Sequence, residues 1–159
     1  MTVTVGDPAP DFDLPGDAGQ ISLAALKGRK VVLYFYPKDD TSGCAAQAQG
    51  FTAEAADFAA AGAVIVGVSK DTPASHGKFR AKYGLSPLLG ADVDGKVVER
   101  YGAWVEKSMY GRKYMGIERS TVLIDAAGIV RRVWRKVKVP GHVAEVLQAV
   151  RALSLSQTT

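Results

Sequence analysis

Cys44 is the only cysteine among 159 residues. Its thiol is the side chain whose type and position could provide nucleophilic or redox chemistry. It follows the apolar run VVLYFY (31–36) and precedes Ala- and Gln-rich residues that favour a helix. Free N–H groups and the positive dipole end at a helix start both favour a thiolate. A free cysteine is also often buried and inert. The sequence leaves both alternatives open, and the position favours reaction.

Polar residues stand directly before the thiol, in the order Asp39, Asp40, Thr41 and Ser42. At least one of the two hydroxyl residues is expected to cap the helix, and a hydroxyl near a thiolate can also hold an oxygen-containing substrate. An inward-facing carboxylate would disfavour the thiolate. Both aspartates are therefore expected to face solvent.

Several kinds of chemistry are excluded by residue counts. One cysteine allows no disulfide within the chain and no C-x-x-C dithiol pair. His76 and His142 are the only histidines, and their separation provides no metal-ligand spacing. We therefore expect no metal and no cofactor. The cysteine content and the lack of a signal-peptide pattern at the N-terminus predict a cytoplasmic protein.

The charge pattern argues against two classes of partner. The net charge is +4, and the one basic run is RRVWRKVK (131–138). A nucleic-acid patch is the alternative there, but Val133 and Val137 between cationic residues favour an exposed strand. No apolar run approaches ~18 residues, the length of a membrane span. We expect neither nucleic-acid nor membrane binding.

The hydrophobic pattern predicts alternating strands and helices. Strands are expected at 31–36 and 63–68, with a helix from about 43 to 61 between them. Thr72 and Pro73 begin a second helix that ends at Gly84. Further strands are predicted at 119–125 and 129–137, joined by a turn at 126–128, and Pro140 opens a last helix.

This order predicts one α/β domain over residues 1–159. Two strand–helix units followed by a β-hairpin and a helix are the order of a thioredoxin-like fold. Residues 1–30 form an N-terminal extension, and residues 85–118 form an insertion before the C-terminal ββα unit. Cys44 then lies at the carboxyl end of a central strand, where reactive groups collect in open sheets.

Three stretches of the sequence resemble those of peroxiredoxins. The run YFYPKDDTSGC is similar to their peroxidatic signature, in which proline, Thr or Ser, and cysteine have fixed spacing. The stretch YGAWVEKSMYGRKYMGIERSTVLID (101–125) and the N-terminal GDPAPDFDLPGDAGQISLAALKG resemble the bacterioferritin-comigratory-protein or PrxQ subgroup. The similarity covers nearly the whole chain.

The resemblance implies an enzyme, a thiol peroxidase acting on hydrogen peroxide and organic hydroperoxides. Cys44 would be the peroxidatic cysteine, and Thr41 would hydrogen-bond the peroxide. Arg119 would stabilise the thiolate and the leaving oxygen, and Pro37 would shield the pocket. Trp104, Lys107 and Tyr110 are further candidates for its edge.

The residues that depart from the subgroup pattern concern the reduction of oxidised Cys44 and the helix that follows it. Gln49 occupies one position of a resolving cysteine, the helix HGKFRAKY has none, and Gln47 replaces the glutamate of T-P-G-C-T-x-E. The cycle would need an external thiol such as thioredoxin, glutaredoxin or a low-molecular-weight thiol. The alternative is a peroxide-sensing protein that forms a mixed disulfide with a partner. A monomer or a weak homodimer is expected.

Overall fold

The structure, a computed structural model, describes residues 3–156 and, among them, the side chains of residues 3–153. Its strands are β1 Asp13–Gly16, β2 Gly19–Ser22, β3 Lys30–Phe35, β4 Ala63–Ser69, β5 Leu88–Ala91, β6 Trp104–Met109, β7 Arg112–Ile117, β8 Ser120–Ile124 and β9 Val130–Trp134. The helices are α1 Leu23–Leu26, α2 Ser42–Ala53, α3 Ala55–Ala60, α4 Pro73–Tyr83, α5 Lys96–Arg100 and α6 His142–Ser156.

Seven strands form one mixed sheet in the order β2-β1-β5-β4-β3-β8-β9. Strand β3 lies near its centre, parallel to β4 and antiparallel to β8. Every residue of β3 is buried, as its continuous apolar sequence predicts. The C-terminal end of β3 is therefore fixed on both sides, and the loop to α2 starts from a rigid point.

The predicted extension and insertion supply the three strands at one edge of the sheet, β2, β1 and β5. The extension contributes the β1–β2 hairpin, which pairs with β5 through Gly16 and Gly90. The insertion supplies β5, α5 and a separate two-stranded hairpin of β6 and β7. The predicted thioredoxin-like α/β fold is confirmed.

The second predicted helix has the expected limits. Thr72 accepts a hydrogen bond from the backbone N–H of Ser75, and Pro73 opens α4. Gly84 ends it in the left-handed conformation at φ 62°, which glycine adopts without the steric cost of a Cβ.

Three predicted boundaries were wrong. The helix expected over 43–61 is broken at Glu54, and this bend accompanies the burial of both Phe51 and Phe58 in one cluster. Strand β9 stops at Trp134, because Lys136 has a positive φ of 48°. The last helix begins at His142 rather than at Pro140, since the intervening Gly141 has a φ of 78°.

The two faces of the sheet carry separate apolar clusters. One face packs Leu33, Phe35 and Val66 against the insertion and the extension. The other packs Tyr34, Cys44 and other residues beneath α2, α4 and α6. The thiol therefore belongs to the helix-covered face of the sheet.

Within residues 3–156, no helix has the length and apolar character needed to cross a membrane. In the same part of the chain, no cluster of three or more His, Cys, Asp or Glu residues could hold a metal ion.

Candidate active site

Cys44 lies in the first turn of α2, immediately after the loop that follows β3. Only 1% of the residue is exposed. Thr41 occupies the N-cap position, but its side chain accepts no hydrogen bond from the helix. Its hydroxyl instead donates to the carbonyl of Lys38 at 2.8 Å. Of the two hydroxyl residues considered as caps, Thr41 therefore provides no side-chain cap, and its hydroxyl oxygen can still accept a hydrogen bond from a ligand.

Arg119 contacts the thiol from a distant part of the chain. Its Nη2 lies 3.3 Å from Cys44 Sγ, and its Nη1 donates to Gln47 Oε1 at 2.6 Å. Strand pairing explains this approach, since Ser120 of β8 pairs with Phe35 at the end of β3. The residue before Ser120 thus lies beside the loop that leads to Cys44. The structure brings these two predicted residues together.

Gln47 is a member of the site that sequence reasoning missed. It is fully buried, and its Oε1 accepts from Arg119 while its Nε2 has no hydrogen-bond partner among the described residues. In the sequence, Gln47 stands out only as a glutamine in the place of the subgroup's glutamate. The usable signal was its spacing, because residues i and i+3 share one helix face.

Gly43 provides the room in which the guanidinium lies. A Cβ added at this residue would lie 3.2 Å from Arg119 Nη2, with no other atom closer. This separation is tighter than an ordinary van der Waals contact, so a side chain at residue 43 would displace Arg119.

Asp39 does not face solvent, and that expectation was wrong. The residue is 7% exposed. Its carboxylate accepts from Tyr36 Oη at 2.5 Å and lies 2.7 Å from His76 Nδ1. The sequence did not reveal these partners, because His76 is distant along the chain and gave no sign of its orientation.

Asp40 is exposed, as expected. Its carboxylate accepts from Lys82 Nζ at 2.9 Å and from Tyr83 Oη at 2.8 Å. These hydrogen bonds, with that of Lys82 first, lower the pKa of Asp40. Its backbone has a φ of 59°, which a non-glycine residue adopts at a cost.

Pro37 is exposed and borders a cleft beside the β6–β7 hairpin. The cleft has a volume of about 320 Å³ and is lined by Pro37, Lys70, Trp104, Lys107, Tyr114, Met115, Gly116 and Ile117. Trp104 and Lys107 line it, whereas Tyr110 lies at the hairpin tip, is 98% exposed and does not. Cys44 is not part of this cleft, and the shielding role of Pro37 stays a prediction.

Two further buried residues, Tyr34 and His142, have side chains whose pKa values are shifted by burial. Burial, followed by the negative charge of Cys44, raises the pKa of Tyr34. Its hydroxyl has no hydrogen-bond partner among the described residues. Burial lowers the pKa of His142, whose Nε2 lies 2.9 Å from Thr121 Oγ1. Neither residue contacts Cys44 directly by a hydrogen bond.

Comparison with known proteins agrees with this arrangement. The model of the AhpC/TSA family matches residues 5–133. A putative peroxiredoxin bcp of Coxiella burnetii is 51% identical over 148 residues, covering 92% of this chain and 98% of its own length. The peroxiredoxin Bcp of Bacillus subtilis is 48% identical over 155 residues, covering 97% and 99% of the two chains.

Solved structures show the same similarity in three dimensions. The Xanthomonas campestris bacterioferritin comigratory protein, described for its alkyl peroxide reduction activity, superposes with a TM-score of 0.88 at 40% identity. That match covers 96% of this chain and 98% of the other. A mutant of Xylella fastidiosa PrxQ gives a TM-score of 0.91 at 34% identity over 97% and 99% of the chains. The chain belongs to the AhpC/TSA family and, within it, to the Bcp and PrxQ peroxiredoxins.

Proposed function

We propose that this protein is a thiol-dependent peroxidase in which Cys44 attacks the peroxide. The observation that carries this proposal is the contact of 3.3 Å between Arg119 Nη2 and Cys44 Sγ in the first turn of α2. A permanent cation and a helix start both favour the thiolate, which is the nucleophilic form of cysteine.

In the proposed reaction the Cys44 thiolate attacks one oxygen of a hydroperoxide. An S–O bond forms and the O–O bond breaks, so that the sulfur loses two electrons to the peroxide. The attacked terminal oxygen stays on sulfur with its hydrogen, and the other oxygen leaves as an alkoxide or hydroxide and takes up a proton to become an alcohol or water. Cys44 is left as a sulfenic acid.

The surrounding residues are assigned roles in this step. The Arg119 guanidinium stabilises the thiolate and the negative charge that develops on the leaving oxygen. The Thr41 hydroxyl, whose hydrogen is directed to Lys38, accepts a hydrogen bond from the peroxide O–H. Pro37 limits access of water to the loop.

An external thiol completes the cycle, because the sequence contains no second cysteine. Its thiolate attacks the sulfenic sulfur of Cys44 and expels water, which gives a mixed disulfide. A second thiol then releases Cys44 and leaves the reductant as a disulfide. Thioredoxin, a glutaredoxin or a low-molecular-weight thiol can each supply these two equivalents.

The substrates are hydrogen peroxide and organic hydroperoxides, as the alkyl peroxide activity named for the X. campestris relative supports. We further infer a cytoplasmic location and a monomer or weak homodimer, without nucleic-acid or membrane partners. The net charge of +4 is modest and is spread along the chain, which supports the absence of a nucleic-acid-binding surface.

A coupled assay tests the proposal and separates it from peroxide sensing. Consumption of NADPH is followed with hydrogen peroxide or tert-butyl hydroperoxide, using thioredoxin with thioredoxin reductase, or glutaredoxin with glutathione and glutathione reductase. With dithiothreitol as the reductant, the loss of peroxide is followed directly. Sustained turnover with any donor, lost in Cys44→Ser, supports a peroxidase. Oxidation of Cys44 that stops after one equivalent with every donor, together with a trapped disulfide to a partner protein, would instead establish a sensor.

A further inference from the structure

A buried pair of side chains outside the proposed chemistry anchors the loop that leads to Cys44. Asp39 and His76 have side-chain exposures of 4% and 0%, and Asp39 Oδ2 lies 2.7 Å from His76 Nδ1. Neither residue contacts Cys44 or Arg119 by a hydrogen bond. Polar side chains at this depth require hydrogen-bond partners.

The hydrogen-bond partners determine where the protons lie. His76 Nε2 lies 3.0 Å from the carbonyl oxygen of Gly90, which can only accept. Nε2 must therefore carry a hydrogen. Nδ1 faces the carboxyl group of Asp39, to which Tyr36 and Ser75 also donate hydrogen bonds. Every polar atom of the two side chains thus has a hydrogen-bond partner, and one hydrogen is shared between Asp39 Oδ2 and His76 Nδ1.

This pair joins the loop to three elements of the fold. Ser75 and His76 belong to α4, and Gly90 belongs to β5. The backbone N–H of Asp39 donates to Asp71 Oδ2 at 2.8 Å, and that oxygen also accepts from Ser69 Oγ at 2.6 Å. Residue 39 is thus held by α4, by β5 through His76, and by the end of β4 through Asp71 and Ser69.

The next two residues transmit this fixed position toward the thiol. Asp40 is held in a positive-φ conformation by Lys82 and Tyr83, which also lie on α4. Thr41 then closes the loop through its hydrogen bond to the carbonyl of Lys38. The conformation that presents Thr41 and starts α2 is therefore built on contacts with α4.

We propose that Asp39 and His76 are positioning residues for peroxide attack, acting as a buried hydrogen-bonded pair that fixes the loop bearing Thr41 and Cys44. The proposal rests on the proposed peroxidase function of Cys44. An error of about 1 Å in the placement of reacting groups can cost as much as ~10²-fold in rate. Loss of this anchor should consequently reduce the rate of attack in molecules that remain folded.

The first experiment compares three variants by stopped-flow oxidation with hydrogen peroxide and by urea unfolding of the reduced protein. Asp39→Ala removes the anchor. Asp39→Asn keeps its shape and can accept from Tyr36 while donating to Nδ1 of a neutral His76. Asp17→Asn is the matched control, because it weakens the contact of α4 with the β1–β2 turn through Arg80 and leaves the loop intact.

We expect Asp39→Ala and Asp17→Asn both to lower the free energy of unfolding. Only Asp39→Ala should slow attack per folded molecule, by between about tenfold and ~10²-fold, and Asp39→Asn should regain most of the lost rate. Equal attack rates in Asp39→Ala and Asp17→Asn would overturn the proposal. That result would leave the peroxidase function intact, since Cys44→Ser alone tests it.

Two measurements cover the case in which Asp39→Ala does not fold. His76→Gln retains a donor toward Gly90 and loses the hydrogen bond to Asp39, and the same slowing of attack is expected. In the wild-type protein, ¹⁵N NMR should show a hydrogen on His76 Nε2, as its contact with the Gly90 carbonyl requires. An unprotonated Nε2, or an unchanged attack rate in folded His76→Gln, would contradict the pair as a positioning device.

Discussion

Arg119 and Cys44 are 75 residues apart in sequence, yet Nη2 of the first lies 3.3 Å from Sγ of the second. The same guanidinium is oriented by Gln47, which accepts from Nη1 at 2.6 Å. One planar cation therefore contacts the thiol and a residue one helical turn beyond it. Its rigid fork of donors provides a defined direction as well as a charge.

Removal of this guanidinium should slow chemistry at Cys44. Arg119→Ala is expected to reduce the rate of attack on hydrogen peroxide by about a hundredfold, as for other preorganised donors at a developing negative charge. Arg119→Lys should lose less, because it keeps the charge without the fork. Stopped-flow oxidation measures both rates. Arg132→Ala is the control, since Arg132 pairs at the surface with Glu145, and equal slowing by that variant would argue against a specific role.

For the rate of attack, an acceptor oxygen at residue 47 that orients Arg119 should matter more than whether residue 47 is glutamine or glutamate. Gln47→Ala removes the oxygen that holds Nη1, and we expect attack to slow by roughly tenfold. Gln47→Glu keeps an acceptor oxygen and should stay closer to wild type. Gln49→Ala, at an exposed position of the same helix, serves as the control. Wild-type rates in Gln47→Ala would show that Arg119 needs no support from Gln47.

Two glycines of α2 allow catalytic and structural effects to be separated. In Gly43→Ala the new Cβ would lie 3.2 Å from Arg119 Nη2, so attack should slow several-fold while unfolding by urea changes little. In Gly50→Ala the new Cβ would lie 3.0 Å from Val143 Cγ2 in α6. In this variant, overpacking costs about 1–3 kcal/mol and is offset in part by a gain of up to ~1 kcal/mol from removing a glycine inside a helix, while the attack rate should stay that of wild type. The reverse pattern would contradict the placement of Arg119 over Gly43.

Stability should fall below neutral pH in a way that depends on His142. Burial lowers the pKa of this residue below its ordinary 6.5, so the unfolded chain binds the proton more readily than the native protein. The contribution of His142 is fully present above about pH 6.5 and is lost as the pH falls through its folded pKa. Urea unfolding at about pH 7.5 and about pH 5.5 should show a smaller difference in His142→Gln than in wild type. An identical difference would exclude His142 as its source.

Local sequence patterns predicted the elements that carry the thiol. The apolar run 31–36 and the segment after Ser42 specify a buried strand and a helix, which places Cys44 at a strand–helix junction. The partnership with Arg119 had a different origin, since only the family resemblance pointed to it. Pairing of β8 with β3 brings the two residues together, and no local pattern encodes such a register.

Other features escaped sequence reasoning for physical reasons. Asp39 was expected at the surface because a lone carboxylate would oppose the thiolate, but His76 and two hydroxyl groups hydrogen-bond its side chain in the interior. The β6–β7 hairpin was not predicted as a pair of strands. Most of its side chains are exposed or half-buried, so the alternation of buried and exposed residues that marks a strand is weak there.

The most direct test of the central claim is the intact mass of the protein after one equivalent of hydrogen peroxide under single-turnover conditions. The proposed mechanism predicts that wild type gains one oxygen atom, located at Cys44, and that excess dithiothreitol removes it. Cys44→Ser should gain none and should consume no peroxide. Peroxide consumption by Cys44→Ser at the wild-type rate, or a wild-type mass that does not change, would contradict the assignment of Cys44 as the attacking nucleophile.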